Sequence, residues 1–159
     1  MVIGPPVFLP SSGSKINETV RPVFKLLSGE AKTVPPIIGS GFFVDVRDVA
    51  FEHLWAFEHP AEANGQRYLA SSGFGPTQAI ADILRYHYKG TPIEKNIPVG
   101  NPGASYEGFD KESGKVNYVK QLPGTVYVDG SKAERDMGLK YIDFVQSVVE
   151  TAKVLEALL

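Results

Sequence analysis

Residues 41–58 constrain the fold of this chain more than any other stretch, because a strand pattern passes into a helix pattern with no linker between. Residues 41–46 (GFFVDV) read as a short strand of aromatic and β-branched residues. Asp45 then reads as a helix N-cap, with Asp48 in the first turn, where a carboxylate meets the positive end of the helix dipole. Val46, Val49, Ala50, His53, Leu54 and Phe57 fall at i, i+3, i+4, i+7, i+8 and i+11, the spacing that lines one side of a helix. That regularity predicts a buried apolar face. His53 lies on it and reads as a hydrogen-bonded core histidine, while Asp45, Arg47 and Asp48 read as capping and surface pairing.

The same alternation of short strands and helices runs through the chain. A loop over residues 7–14 leads to a helix expected near Thr19, a hydroxyl N-cap, with Pro22 tolerated in the first turn and Gly29 as terminator. Val23, Leu26 and Leu27 should form its inner side. Residues 32–40 should be a surface loop, and Pro60 and Gly65 should close the helix that follows residue 45. Residues 67–70 (RYLA) read as the next strand. Gly75-Pro76 reads as a helix start, with Ile80, Ile83 and Leu84 buried as far as about Tyr88. Residues 90–124 show no clear period and read as a long loop. Residues 126–128 suggest a third strand. Ser131 and Glu134 suggest a capping box for a helix ended by Gly138. A last helix from about Asp143 should bury Val145, Val148, Val149, Ala152 and Leu155.

Composition narrows the function classes. The 159 residues are 43% apolar and 11% aromatic, enough for a packed core and unlike a disordered tail. A net charge of −2 argues against a general nucleic-acid binder or a polybasic membrane anchor. There is no cysteine, so thiolate metal sites and cysteine nucleophiles are excluded, and the three histidines show no metal-ligand spacing. No apolar run approaches the ~20 residues of a membrane span, and the first residues do not resemble a signal peptide. The cytosol is the expected compartment. The chain opens abruptly on Val2 and Ile3 followed by Gly4-Pro5-Pro6, which reads as the last residues of a strand that begins upstream.

No self-contained catalytic motif is present. The Gly-rich turn G-x-G-x-x-G, which lets a pyrophosphate approach a helix N-terminus, is missing, as are the Walker lysine motif and the G-x-S-x-G elbow. None of the seven tyrosines has a lysine four residues later.

Residues 43–50 (FVDVRDVA), with His53 and residues 65–68 (GQRY), resemble the extended short-chain dehydrogenase/reductase family. Further blocks fit in the same order. These are residues 2–5 (VIGP), Asn17-Glu18-Thr19, residues 96–103 (NIPVGNPG), and Ser131-Lys132 through Gly138-Leu139. The chain looks most like the branch of fungal methylglyoxal/aldehyde reductases, dihydroflavonol reductases and cinnamoyl-CoA reductases, and it matches only their C-terminal, substrate-binding half.

The resemblance implies an incomplete α/β fold of short strands, a partial parallel sheet and about five helices. The N-terminal Rossmann cofactor half would be absent. It implies an NADPH-dependent carbonyl reductase acting on a small aldehyde or ketone, in which a Tyr-x-x-x-Lys pair upstream supplies the proton and the reduced cofactor, NADPH, the hydride. No catalytic residue is then expected in this chain, which should be inactive alone. Val2 would face the nicotinamide, or simply be a strand residue. Thr19, with Asn17 beside it, would reach the cofactor's diphosphate or ribose, or serve only as a cap. Met1, Phe8 and Tyr106 would line the substrate pocket, as Phe42 and Phe43 could, although aromatic residues here also suit a core. The alternative is a non-catalytic truncated protein or small binding module. Either way, open strand edges and bare helix faces are expected to favour self-association and poor solubility.

Overall fold

The computed structural model describes residues 1–9, 15–36, 41–124 and 126–159. Its centre is a three-stranded sheet with spatial order β1-β2-β3. Strand β1 (Val2–Ile3) pairs in parallel with β2 (Phe42–Asp45), Val2 opposite Val44 and Ile3 opposite Asp45. Strand β3 (Gly73–Phe74) pairs antiparallel with β2, Phe42 opposite Phe74. The sheet is therefore mixed. Residues 67–70 are not a strand. The chain meets the edge of β2 later, where the Ser72 amide donates to the Phe43 carbonyl at 3.0 Å and the Gly75 amide to the Gly41 carbonyl at 2.7 Å.

Three helices build the main core. Helix α1 (Arg21–Leu27) buries Val23, Phe24, Leu26 and Leu27. It starts later than expected, and Thr19 does not cap it. Val20 holds the cap position without a side-chain bond, while the Asn17 carbonyl accepts the amides of Val20 and Arg21. Gly29, with φ of +75°, follows the helix end as expected. Helix α4 (Thr77–His87) buries Ile80, Ile83 and Leu84. Helix α6 (Phe144–Leu155) is capped by Asp143, whose carboxylate accepts the Gln146 amide at 3.0 Å. Its fully buried side carries Ser147, Val148, Thr151, Ala152 and Leu155, while Val145 and Val149 are only half-buried.

Helix α2 (Val46–Glu58) follows β2 directly and is capped by Asp45, as its sequence predicts. The expected buried face is the wrong one. Val46, Ala50, His53, Leu54 and Phe57 are exposed, with Phe57 83% accessible, and of the expected face Val49 alone is half-buried. The side turned inward carries Asp48, Glu52, Trp55 and His59, also spaced i, i+4, i+7 and i+11. Asp48 accepts the Ile142 amide at 3.0 Å, and Glu52 accepts the Tyr141 hydroxyl at 3.0 Å. Those two bonds fix the rotation of the helix. Trp55 stacks on His59 at 4.7 Å between ring centres and joins Tyr68 in packing on Ala133, Met137 and Leu139. His53 is hydrogen-bonded through Nδ1 to the Val49 carbonyl but stands in solvent rather than in the core.

The short helix α3 (Pro60–Ala63) ends this arm. Helix α5 (Ser131–Met137) is closed by Gly138 in the left-handed conformation, φ +67°. No capping box forms there: Gly130 is the N-cap, Asp129 accepts the Ser131 amide, and the Ser131 hydroxyl accepts from Arg135 instead.

Residues 90–124 hold more structure than their composition predicts. A 3-10 turn (Pro92–Asn96) precedes an antiparallel hairpin of β4 (Tyr106–Phe109) and β5 (Val116–Gln121). A bulge at Gly108 breaks the alternation that would have revealed it. A Cβ at Gly108 would stand 2.0 Å from the Tyr118 carbonyl oxygen, so glycine is required there. Asp110 turns the hairpin, accepting the Ser113 hydroxyl at 2.6 Å and the Glu112 amide at 2.9 Å. Residues 126–128 are not a strand: Val126 and Tyr127 are exposed beyond the hairpin.

Candidate functional site

The residues assigned to cofactor and substrate fall into three places. Met1 and Val2 lie along β2: the Met1 ammonium donates to the Phe42 carbonyl at 2.6 Å, and the Met1 carbonyl accepts the Val44 amide at 3.0 Å. Burial lowers the pKa of that ammonium. Strand β1 ends the sheet, so its outer backbone edge is unpaired among the described residues, and the Val2 side chain is 36% exposed. Beyond the Gly4-Pro5-Pro6 turn, Phe8 is 88% exposed. Asn17 and Thr19 form a second group before α1. The Thr19 amide donates to Asn17 Oδ1 at 3.3 Å, and its hydroxyl lies 3.5 Å from the same oxygen. The Asn17 side chain is thus a local turn former, while the Thr19 hydroxyl remains half-buried at the surface.

Tyr106 lies apart from both groups, buried against α4. Its hydroxyl donates to Asp82 at 2.7 Å, and the same carboxylate accepts the Gly103 amide at 2.8 Å and Gln78 Nε2 at 2.8 Å. Burial and the adjacent Asp82 carboxylate push the Tyr106 hydroxyl far above its ordinary pKa. Tyr106 therefore pins the hairpin and the preceding loop to α4. Asp82 was not singled out from the sequence. Its helical position, four residues after Gln78 on a stripe that also holds Ala79 and Ile83, was the available signal.

Behind the parallel strands lies a polar network. Asp45 is fully buried. Although burial raises its pKa, hydrogen bonds from Arg47 and from the Ser147 hydroxyl (2.6 Å) outweigh that and hold it below the usual carboxylate range. Arg47 also reaches Glu150, so β2, α2 and α6 are tied at one point. Its partners keep the guanidinium charged. Three residues on, burial raises the Asp48 carboxyl to about 6, opposed by the Ile142 amide. Burial likewise raises Glu52, opposed by the Tyr141 hydroxyl.

Open grooves surround β3. One of about 500 Å³ lies between β5 and α6, lined by Phe43, Gly73, Val116 and Phe144. Another of about 490 Å³ is walled by Phe42, Phe74, Leu122 and Tyr127. Phe42 and Phe43 thus do line concave surface, while also packing edge-on against Phe74 and Phe144. Met1, Phe8 and Tyr106 line neither of these two grooves. Among the described residues no group of histidine and carboxylate side chains could hold a metal ion, and no helix is long and apolar enough to cross a membrane.

No family model matches the chain. It is 33% identical over 154 residues to the NADPH-dependent methylglyoxal reductase of Saccharomyces cerevisiae, covering 95% of this chain and 39% of the relative. It is 29% identical over 157 residues to cinnamoyl-CoA reductase 1 of Arabidopsis thaliana, covering 98% of this chain and 37% of the relative. Among solved structures, the yeast methylglyoxal/isovaleraldehyde reductase complexed with NADPH superimposes with a TM-score of 0.70 at 27% identity, covering 99% of this chain and 44% of that one. The chain therefore spans about two-fifths of the length of the relatives it matches. In sequence and in fold, this chain is similar to these reductases, matching the C-terminal part of extended short-chain reductase structures.

Proposed function

We propose that this chain forms the substrate-side part of an NADPH-dependent reductase of aldehydes or ketones. The observation that carries the reading is the match over nearly all of this chain to NADPH-dependent reductases, in sequence and in structure. The work of such a part is to fix the nicotinamide edge and shape the pocket for the carbonyl compound.

The cofactor fits the described residues in part. The edge of β1, unpaired among the described residues, offers Val2 backbone groups to a carboxamide, and the half-buried Thr19 hydroxyl, held by a long 3.5 Å bond to Asn17 Oδ1, could exchange that bond for a phosphate or ribose. The chain has neither a glycine-rich cradle for the pyrophosphate nor a Tyr-x-x-x-Lys pair for the proton. NADPH would supply hydride to the carbonyl carbon, and the residues of this chain position the two reactants. Met1 and Phe8 supply apolar surface beside β1. Tyr106 contributes indirectly, by holding the hairpin against α4 through Asp82.

The test is a chimaera in which this chain replaces the matching segment of the yeast methylglyoxal reductase. NADPH oxidation is measured against a panel of small aldehydes and ketones. Turnover by the chimaera and none by the chain alone is the expected result. A folded chimaera that binds NADPH yet reduces no carbonyl compound would leave the non-catalytic binding module as the better reading.

A further inference from the structure

A third groove beside β3, of about 300 Å³, is bordered by the start of α5 and the cap of α6. Ser71, Tyr127, Asp129, Glu134, Tyr141 and Asp143 line it. Met1, Val2, Phe8, Thr19 and Tyr106 do not, so it is separate from the residues of the proposed function.

Its charge is one-sided. Asp129, Glu134 and Asp143 are exposed, and none has an ion-pair partner among the described residues. No lysine, arginine or histidine among the described residues lines the groove. Hydrogen bonds from Ser131 hold the Asp129 carboxyl below its ordinary range, so it is ionised at neutral pH. The charge of Arg135 reaches Asp129, but its Nη1 donates to the Ser131 hydroxyl at 2.7 Å and the residue does not line the groove.

A second observation is independent of those charges. Ser71 is 7% exposed, and its hydroxyl has no hydrogen-bond partner among the described residues. The hydroxyls beside it are committed elsewhere: that of Tyr141 donates to Glu52 at 3.0 Å, and that of Ser72 to the Phe43 carbonyl at 3.4 Å. A buried hydroxyl with no partner in the protein calls for one from outside it.

The chemistry of that partner follows from the lining. The carboxylates do not converge into a group able to hold a metal ion. An organic cation meets them without convergence, because an ammonium group donates up to three hydrogen bonds in different directions. It is also attracted to the face of an aromatic ring, and Tyr127 is 75% exposed here. Ser72, Gly73 and Tyr127 are shared with the groove of about 490 Å³ that Phe74 and Leu122 help to wall, so apolar surface continues from the charged end.

We propose that this groove binds the ammonium group of a small amine, whose apolar body extends past Tyr127 toward Phe74 and Leu122. The site does not depend on the proposed function.

The experiment titrates the chain with 2-phenylethylammonium and with two probes of similar shape, uncharged 2-phenylethanol and anionic phenylacetate. Binding is followed by calorimetry and by the NMR shifts of backbone amides. The ammonium is expected to bind about tenfold or more tightly than either analogue, to weaken as salt is added, and to shift the amides of residues 71–73, 127–131 and 141–143. Asp129→Asn with Glu134→Gln keeps the shape of the groove and an acceptor for the Ser131 amide. It should weaken the ammonium about tenfold and leave 2-phenylethanol unchanged. Ser71→Ala removes only the unpaired hydroxyl and should weaken the ammonium about threefold. Equal binding of the three probes overturns the proposal, as does an unchanged affinity in the double variant or a set of shifts confined to other residues. If the double variant does not fold, the three probes on the native chain decide the matter.

Discussion

Helices α2 and α6 have equally regular apolar patterns and opposite fates. Helix α6 lays Val148, Ala152 and Leu155 into the main core and closes that face with Ser147 and Thr151, whose hydroxyls are bonded to Asp45 and to the Ser147 carbonyl. Helix α2 turns its apolar stripe to solvent and buries Asp48 and Glu52 on bonds to Ile142 and Tyr141. The stripe on α6 meets α1, α4 and β5, all within the chain. The inner side of α2 meets α5 and the 138–143 segment, where a small apolar cluster with Leu139 takes Trp55, and an amide and a phenol take the two carboxylates. A helical pattern therefore identifies a face that can be buried, and the partners present decide whether it is.

The comparison breaks most visibly under truncation. Leu155→Ala should destabilise the chain by about 3 kcal/mol in urea denaturation, the cost of a cavity at a fully buried leucine. Phe57→Ala on α2 should change it by less than about 0.5 kcal/mol, although it removes a larger side chain. Similar losses at both sites would mean that α2 is covered within the chain itself.

Titration sharpens the contrast on the inner side of α2. Asp48 carries a native pKa near 6, above its unfolded value, so the native state binds the proton more tightly. The stability linked to this group is fully present below about pH 4 and is lost as pH rises through about 6. A shift of this size corresponds to about 3 kcal/mol. Replacing Asp48 by Asn should remove that decline between pH 4 and 7. A slope unchanged by Asp48→Asn would show that the carboxylate is not buried. Asp45 has the opposite sign, because its pKa lies below the unfolded value, and its contribution fades only as pH falls further.

A smaller loss than at Leu155 is expected on the α4 side of the core that α6 shares. Tyr106→Phe removes the hydroxyl from Asp82 and should cost about 1–2 kcal/mol, with faster amide exchange in β4 and β5 and no change in α2. Uniform acceleration through both regions would show that they do not unfold separately.

Much of the fold was legible because its signals are local. Asp45 capping α2, Gly138 ending α5, the buried sides of α1 and α4, and most of that of α6 all follow from residues within a turn or two of one another. The hairpin was not legible, because the Gly108 bulge shifts its register and β5 alternates only weakly between core and solvent. Asp82 and Tyr106 are 24 residues apart, and nothing local marks them as partners. Of the proposed site, Val2 was legible, with Ile3, as a short strand end. Thr19 was legible as a hydroxyl before a helix, although the backbone carbonyl of Asn17 takes the place of a cap.

The sequence by itself determined the class of this protein: an α/β arrangement with capped helices, similar to reductases along about two-fifths of their length. Only the tertiary structure decided which side of α2 faces inward and which strand edge stays open. Caps and periodicities depend on neighbours within a few residues. The rotation of a helix depends on bonds such as Asp48 to Ile142, made across 94 residues of chain.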